Sequence, residues 1–163
     1  MNGTHGRLAW LAVAAMVAAA SAGRAVPAVA QQGLTVAVQH NLTFGLVIPG
    51  LPTTISTTDA LDAAQVEVRG QSGAQVQVSF VLPAALAHPR GASLPLLFGP
   101  SDGGYAAASN TVLTAFDPRA PLVTTLSGTG LLYLVLGGTV QPGARQTVGS
   151  YSATITVTVA YLD

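Results

Sequence analysis

The chain of 163 residues contains no cysteine and no lysine, and only 7% of its residues are charged. Without cysteine it can form no disulfide, no thiolate metal site and no cysteine nucleophile. Six arginines balance six acidic residues, so the chain offers no basic surface for nucleic acid or anionic lipid. Half of the residues are hydrophobic, which argues against a disordered chain. We therefore expect a folded protein with no nucleic-acid partner.

The first thirty residues have the composition of an export signal. A weakly positive start is followed by an uncharged apolar stretch of fifteen residues, Leu8 to Ala22. At about 1.5 Å per residue this stretch is too short to cross a hydrocarbon core of about 30 Å. Ala28-Val29-Ala30 fits the small-x-small pattern of a signal peptidase site, and Ala20-Ser21-Ala22 is a second candidate site. The sequence therefore predicts a bacterial signal peptide over residues 1–30 and no integral membrane segment after its cleavage. The exported chain would reach the periplasm, the cell surface or the extracellular space.

Residues 31–163 are predicted to form one all-β domain. Alternation of apolar and polar residues over Gln65–Arg69 and Gln75–Leu82 predicts two strands, each with one buried face, joined as a hairpin. Leu131–Leu136 is an uninterrupted apolar run, which predicts a strand buried on both faces. The segment Gly149–Tyr161 alternates regularly and is rich in β-branched residues, as is typical of a long strand. No segment of residues 31–163 shows a convincing apolar face with helical spacing. The pattern therefore predicts an antiparallel two-sheet β-sandwich of Ig-like or pilin-like type.

Residues that carry chemistry are few and scattered. His40 and His88 are forty-eight positions apart, and neither has a neighbouring carboxylate. Asp59 and Asp62 lie in a threonine-rich turn, where hydrogen bonding to the main chain is a better prediction than calcium binding or acid catalysis. We therefore expect no metal, no cofactor and no enzymatic activity.

The tyrosines are the remaining candidates for ligand contact. Tyr105 follows a glycine-rich stretch that we predict to be a loop, so it is the tyrosine we expect to be exposed. Tyr133, Tyr151 and Tyr161 lie in predicted strands and are expected to pack in the core or on a sheet face rather than bind sugar.

Three groups of short motifs occur in order along the chain. Leu42-Thr43-Phe44-Gly45 precedes Pro49-Gly50, the Gln65–Gly70 strand precedes Gln75–Pro83, and Gly137-Gly138-Thr139 precedes Gly149-x-Tyr151. This layout resembles a secreted bacterial family, domain of unknown function 4402. It is also similar to the spore-coat-U-like subunits of archaic chaperone–usher pili.

The resemblance to pilins implies a sandwich that is completed by a strand from a partner, either a second copy or a chaperone. The implied donor strand carries Leu34, Val36 and Val38, directly after the predicted cleavage site. The implied pairing strand resembles the chaperone-recognition strand of pilins, and its residues are Gly149, Tyr151, Ile155, Val157, Val159 and Tyr161. Alternatively, the donor residues form the first strand of the chain's own complete sandwich.

The function predicted from these features is that of a secreted, non-enzymatic structural or adhesive surface subunit of fimbrial-like type, assembling by β-strand exchange. Two alternatives remain open. One is a self-complete monomeric binding module of the cell envelope, and the other is an enzyme whose site we do not recognise.

Overall fold

Fifteen strands and no helix make up the part of the chain that the structure describes, which is residues 8–10, 12–17, 32–108 and 112–162 of a computed structural model. The strands are β1 (Leu8–Trp10), β2 (Ala12–Val17), β3 (Thr35–His40), β4 (Thr43–Leu46), β5 (Thr53–Ile55), β6 (Ala64–Arg69), β7 (Gln75–Val81), β8 (Ala85–Ala87), β9 (Ser93–Leu97), β10 (Gly103–Ala106), β11 (Thr114–Phe116), β12 (Leu122–Thr125), β13 (Leu131–Leu136), β14 (Gly138–Val140) and β15 (Thr154–Tyr161). The predicted all-β antiparallel class is confirmed, and the architecture is consistent with a β-sandwich.

Two sheets enclose most of the core. The five-stranded sheet has the order β11-β10-β13-β6-β3, and the four-stranded sheet has the order β12-β7-β15-β2. Alternate residues of the central strands are fully buried and belong to one cluster: Val66, Val68, Val76, Val78, Leu132, Leu134, Leu136, Ile155, Val157 and Val159. Period-two alternation places these β-branched and leucine side chains on the inner faces, where burial removes their apolar surface from water.

The predicted hairpin between β6 and β7 is wrong. β6 pairs with β13 and β3, whereas β7 pairs with β12 and β15, so the two strands belong to different sheets. The connection at Gly70 crosses the edge of the core between the sheets. A side chain at Gly70 would collide with the Tyr161 hydroxyl and with the side chains of Leu34 and Leu126, so this tight crossing requires glycine.

A third sheet, with the order β5-β14-β9-β8, adds to the two predicted ones. The chain passes from β13 into β14 through Gly137, and so moves from the five-stranded sheet into the third sheet. The Gly137 amide donates to the Asp102 carbonyl at 2.8 Å, and a Cβ atom there would overlap the Ile55 carbonyl. The third sheet contributes Leu86, Leu94, Leu96 and Val140 to the common core.

Two predictions about the five-stranded sheet need correction. Gly103 and Gly104 were expected in a loop, but they begin β10, which pairs with both β11 and β13. The run Leu131–Leu136 was expected to be buried on both faces, but only alternate residues are buried. Leu131, Tyr133 and Val135 are half-buried on the outer face of the sheet.

The predicted signal cleavage sites at residues 20–22 and 28–30 lie outside the described residues. Within the described ranges, no helix is long and apolar enough to cross a membrane.

Candidate functional site

The predicted donor residues lie in and directly before β3. Val36 is paired with Val68, and Val38 with Val66, in an antiparallel ladder between β3 and β6 of the same chain. Leu34, Val36 and Val38 are half-buried and pack against the core. The segment therefore completes the five-stranded sheet as its edge strand.

The predicted pairing strand corresponds to β15, which begins at Thr154 rather than at Gly149. Ile155, Val157 and Val159 are completely buried, as the alternation predicted. The threonines between them lie on the outer face of the four-stranded sheet, where Thr156 is opposite Val81 and Thr158 is opposite Ser79.

One edge of β15 is paired only with the amino-terminal segment of the chain. β2 runs parallel to β15 over six residue pairs, from Thr154 with Ala12 to Val159 with Val17. β2 also lies beside β3, and so fills the space between the edges of the two main sheets. Among residues 32–162, β7 is the only strand that pairs with β15.

The Tyr161 hydroxyl links the end of β15 by hydrogen bonds to two segments that are distant in the sequence. Its hydroxyl accepts a hydrogen bond from the Gln71 amide at 2.7 Å and donates one to the Gln32 carbonyl at 2.6 Å. The hydroxyl therefore ties together the carboxyl-terminal strand, the β6–β7 crossing and the segment that leads into β3.

Gly149 and Tyr151 lie before β15 and stabilise the loop there. The Tyr151 ring is buried, and its hydroxyl donates to the Thr147 carbonyl at 2.6 Å while accepting from Gln146 at 2.7 Å. A side chain at Gly149 would overlap the His88 ring, which in turn packs on Tyr151 with 5.1 Å between ring centroids. Both residues therefore contact other parts of the chain rather than open space.

A trough of about 1030 Å³ lies on the outer face of the five-stranded sheet. Its floor comes from β6, β13 and β10, which contribute Gln65, Glu67, Tyr133, Val135, Gly104 and Ala106. One wall comes from the segment after β5, with Thr57, Thr58 and Ala60. The other comes from Ala108 after β10 and from Val112 and Leu113 directly before β11. β10 and β11 place only glycine and alanine on this face, and the Leu113 side chain packs over Gly104 at one side of the trough.

Glu67 lies in the floor and is only 8% exposed, although it is on the outer face of the sheet. It is directly opposite Tyr133 on β13 and Ala37 on β3. The Arg69 guanidinium donates a hydrogen bond to the Glu67 carboxylate and remains largely exposed itself. A buried carboxylate is costly without a partner, and Arg69 supplies one, so that no buried side-chain oxygen or nitrogen among the described residues is left without a hydrogen bond.

A second carboxylate–arginine pair lies outside the trough lining. Arg119 donates to Asp117 through both Nε and a terminal nitrogen, each at 2.8 Å. The side-chain hydrogen bond from Arg119, followed by that from its main-chain amide, lowers the pKa of Asp117 to about 2. The Arg119 side chain is exposed, Asp117 is partly exposed, and neither residue lines the trough.

Asp59 stabilises the turn in which it lies. Asp59 accepts hydrogen bonds from the main-chain amides of Leu61 and Asp62, each at 3.1 Å, which confirms the turn interpretation. Among the described residues, no group of three or more histidine, cysteine, aspartate or glutamate side chains could hold a metal ion.

Tyr105 is not in the exposed loop predicted for it, whereas Tyr133 lies on a sheet face, as expected. Tyr105 is in β10, half-buried, with its ring 6.1 Å from that of Phe116, whereas Tyr133 lies in the floor of the trough. None of the predictions from the sequence included the trough. A usable signal was the clustering of small residues in the Gly103–Ala108 segment, since small side chains in strands leave space above a sheet.

No model of a known protein family matches this chain. No curated protein matches it in sequence either. The resemblance to domain of unknown function 4402 and to pilin subunits therefore stays a prediction, and the function is argued below from the geometry.

Proposed function

We propose that the chain is an exported, non-enzymatic structural or adhesive surface subunit of fimbrial-like type, and that a strand from a second copy completes the edge of β15. The observation that carries the proposal is the pairing of β15, whose only partner on that edge is β2. β2 falls within the predicted signal peptide. Cleavage of residues 1–30 would leave the main-chain donors and acceptors of that edge without a partner.

The composition of β15 supports strand addition at this edge. Proteins usually protect an exposed edge strand with lysine or other charges, with proline or with a bulge. No charged residue occurs between Arg145 and Asp163, and β15 itself has neither proline nor a bulge against β7. An added strand gains main-chain hydrogen bonds along β15 and apolar contacts at the edge of the core.

The cleavage site determines which residues can be donated. After cleavage at Ala30, only Gln31–Leu34 precede β3, so a donor that carries Leu34, Val36 and Val38 must first leave its own β6. After cleavage at Ala22, residues 23–34 precede β3 and can reach a neighbour while β3 stays in place. Amino-terminal sequencing of the mature protein distinguishes these two routes.

The test is gel electrophoresis in SDS, with and without boiling, of protein sheared from the cell surface. We expect a ladder of multimers that boiling collapses to one band near the mature mass.

Thr156→Lys places a charge on the outer face of β15 and should weaken the ladder, because edge lysines oppose strand addition. Thr125→Lys places the same charge on the same sheet face at the opposite edge, in β12, and should leave the ladder intact. A single monomer band from folded wild-type protein, or equal ladders from both variants, would contradict the proposal.

A self-complete binding module is the second candidate, and it is favoured by the pairing of β3 with β6 within one chain together with the trough. Deletion of Gln31–Gln39 separates a self-complete module from strand exchange in which β3 is the donor, the route that follows cleavage at Ala30. If β3 stays in place and residues 23–34 are donated, the deletion removes the edge strand in both cases. Strand exchange with β3 as the donor predicts a folded domain that does not polymerise. A self-complete sandwich predicts unfolding, because the deletion removes the edge strand and the half-buried Val36 and Val38.

A further inference from the structure

The trough on the five-stranded sheet has one polar side and one apolar side. The polar side comes from β3, β6 and the segment after β5, with Gln39, His40, Thr57, Thr58, Gln65 and Glu67. The apolar side comes from Ala106 in β10, Ala115 in β11, and Val112 and Leu113 directly before β11. Tyr133 and Val135 lie between the two sides. A ligand that fits must therefore present hydroxyl or amide groups along one side and C–H groups along the other.

The charged groups of the trough further restrict the ligand. Glu67 accepts hydrogen bonds, Arg69 donates them, and the two charges cancel. Adjacent acceptor and donor groups match neighbouring hydroxyls, each of which can donate and accept. A strongly charged ligand would find no net charge to pair with, so a neutral polyhydroxy compound is favoured.

An extended peptide fits this surface less well. β6 and β13 are interior strands, with hydrogen-bonded neighbours on both sides. Their main-chain groups are therefore not available for strand addition, and a peptide would lose the contacts that usually give such binding its affinity. Recognition in the trough must come from side chains.

We propose that the trough is a binding site for a neutral saccharide. A sugar ring has an apolar face of C–H groups and a rim of hydroxyls, which corresponds to the two sides of the trough. The hydroxyl rim contacts Glu67, Arg69 and Gln65, while the ring face lies against Tyr133 and the alanines of β10 and β11. The trough is large enough for a short oligosaccharide, because ligand pockets commonly measure about 300–1,000 Å³. This proposal deepens the binding-module candidate and does not depend on strand addition at β15.

The test is binding of the full mature protein to an array of neutral oligosaccharides, followed by calorimetry with the best ligand. Glu67→Gln keeps the size of the side chain but removes a charged acceptor, so we expect the dissociation constant to rise about 10–100-fold. Ala115→Trp fills the trough from an exposed position on β11 and should abolish binding. Asp117→Asn is the matched control, because it alters an Asp-x-Arg pair that lies outside the trough. It should change the dissociation constant less than twofold.

Several results of these binding experiments would each overturn the proposal. These are no saccharide bound by the wild type, unchanged binding in Ala115→Trp, or equal effects of Glu67→Gln and Asp117→Asn. Binding of a peptide instead of a saccharide in the trough would also overturn it. The SDS ladder serves as an independent readout, because Glu67→Gln should leave it intact. Loss of saccharide binding with a normal ladder therefore separates this site from the β15 edge.

Discussion

Tyr161→Phe removes only the hydroxyl that links the end of β15 to the β6–β7 crossing and to the segment before β3. Two hydrogen bonds to main-chain groups are lost, one from the Gln71 amide at 2.7 Å and one to the Gln32 carbonyl at 2.6 Å. A net hydrogen bond contributes about 0.5–1.5 kcal/mol to stability. Because these main-chain groups lie near the surface, water can replace part of the lost hydrogen bonding. We therefore expect the free energy of unfolding to fall by about 1–2 kcal/mol in total.

Thermal unfolding followed by circular dichroism measures this loss. For a chain of this size, about 1 kcal/mol lowers Tm by about 2–4 °C, so Tyr161→Phe should lower Tm by about 3–6 °C. Tyr105→Phe is the matched control, since the Tyr105 ring packs on Phe116 but its hydroxyl has no hydrogen bond within the described ranges. That variant should stay within about 1 °C of the wild type.

Amide exchange gives a local test of the same reasoning. The Gln71 amide should exchange faster in Tyr161→Phe, because it loses its acceptor, and amides in the middle of β13 should not change. A Tm within 1 °C of the wild type, or an equal fall in Tyr105→Phe, would refute the assigned role of the hydroxyl.

Three further predictions concern the core, a turn and a surface ion pair. Leu132→Ala should lower the free energy of unfolding, measured with denaturant, by about 2–5 kcal/mol, because the Leu132 side chain is almost fully buried and its removal leaves a cavity. Gly130→Ala should lower the free energy of unfolding by about 1–3 kcal/mol, because φ at this position is +74° and the new Cβ atom would overlap the Gly70 carbonyl. Gly128→Ala in the same turn meets open space and should be close to neutral. NMR titration should find the pKa of Asp117 at about 2, and Arg119→Gln should raise it. Because the folded pKa is lowered, the contribution of this pair is present above about pH 4 and lost as the pH falls towards 2.

The alternation in the sequence predicted which faces of the strands are buried, but it did not predict which strands pair. Val66, Val68, Val76 and Val78 are buried as expected. The valines of β6 and β7 nevertheless face each other across the core from different sheets, rather than lying side by side in one hairpin. An alternation of apolar and polar residues specifies which face of a strand is buried. It does not specify the partner strand, because side chains from the same sheet or from the opposite sheet can cover that face equally well.

The trough could not be predicted because its parts are far apart in the sequence. Thr57, Glu67, Ala106 and Tyr133 come from four separate segments, and their proximity depends on sheet order. Glu67 has the sequence context of an exposed strand residue, but it is buried between Tyr133 of β13 and Ala37 of β3, which are its neighbours only through the sheet order. Tyr133 was assigned to a packing role for the same reason, since an apolar run gives no sign that one of its faces is open.

The sequence by itself determined the all-β class and the inward faces of β6, β7 and β15, because apolar alternation and β-branched composition act through local geometry. It also supplied the prediction of a cleavable leader, on which the proposed opening of the β15 edge depends. Only the tertiary structure decided the sheet order, the third sheet, the pairing of β3 within the chain and the trough around Glu67. These features depend on contacts between segments distant in sequence, and their free energy comes from packing and sheet register rather than from local preference.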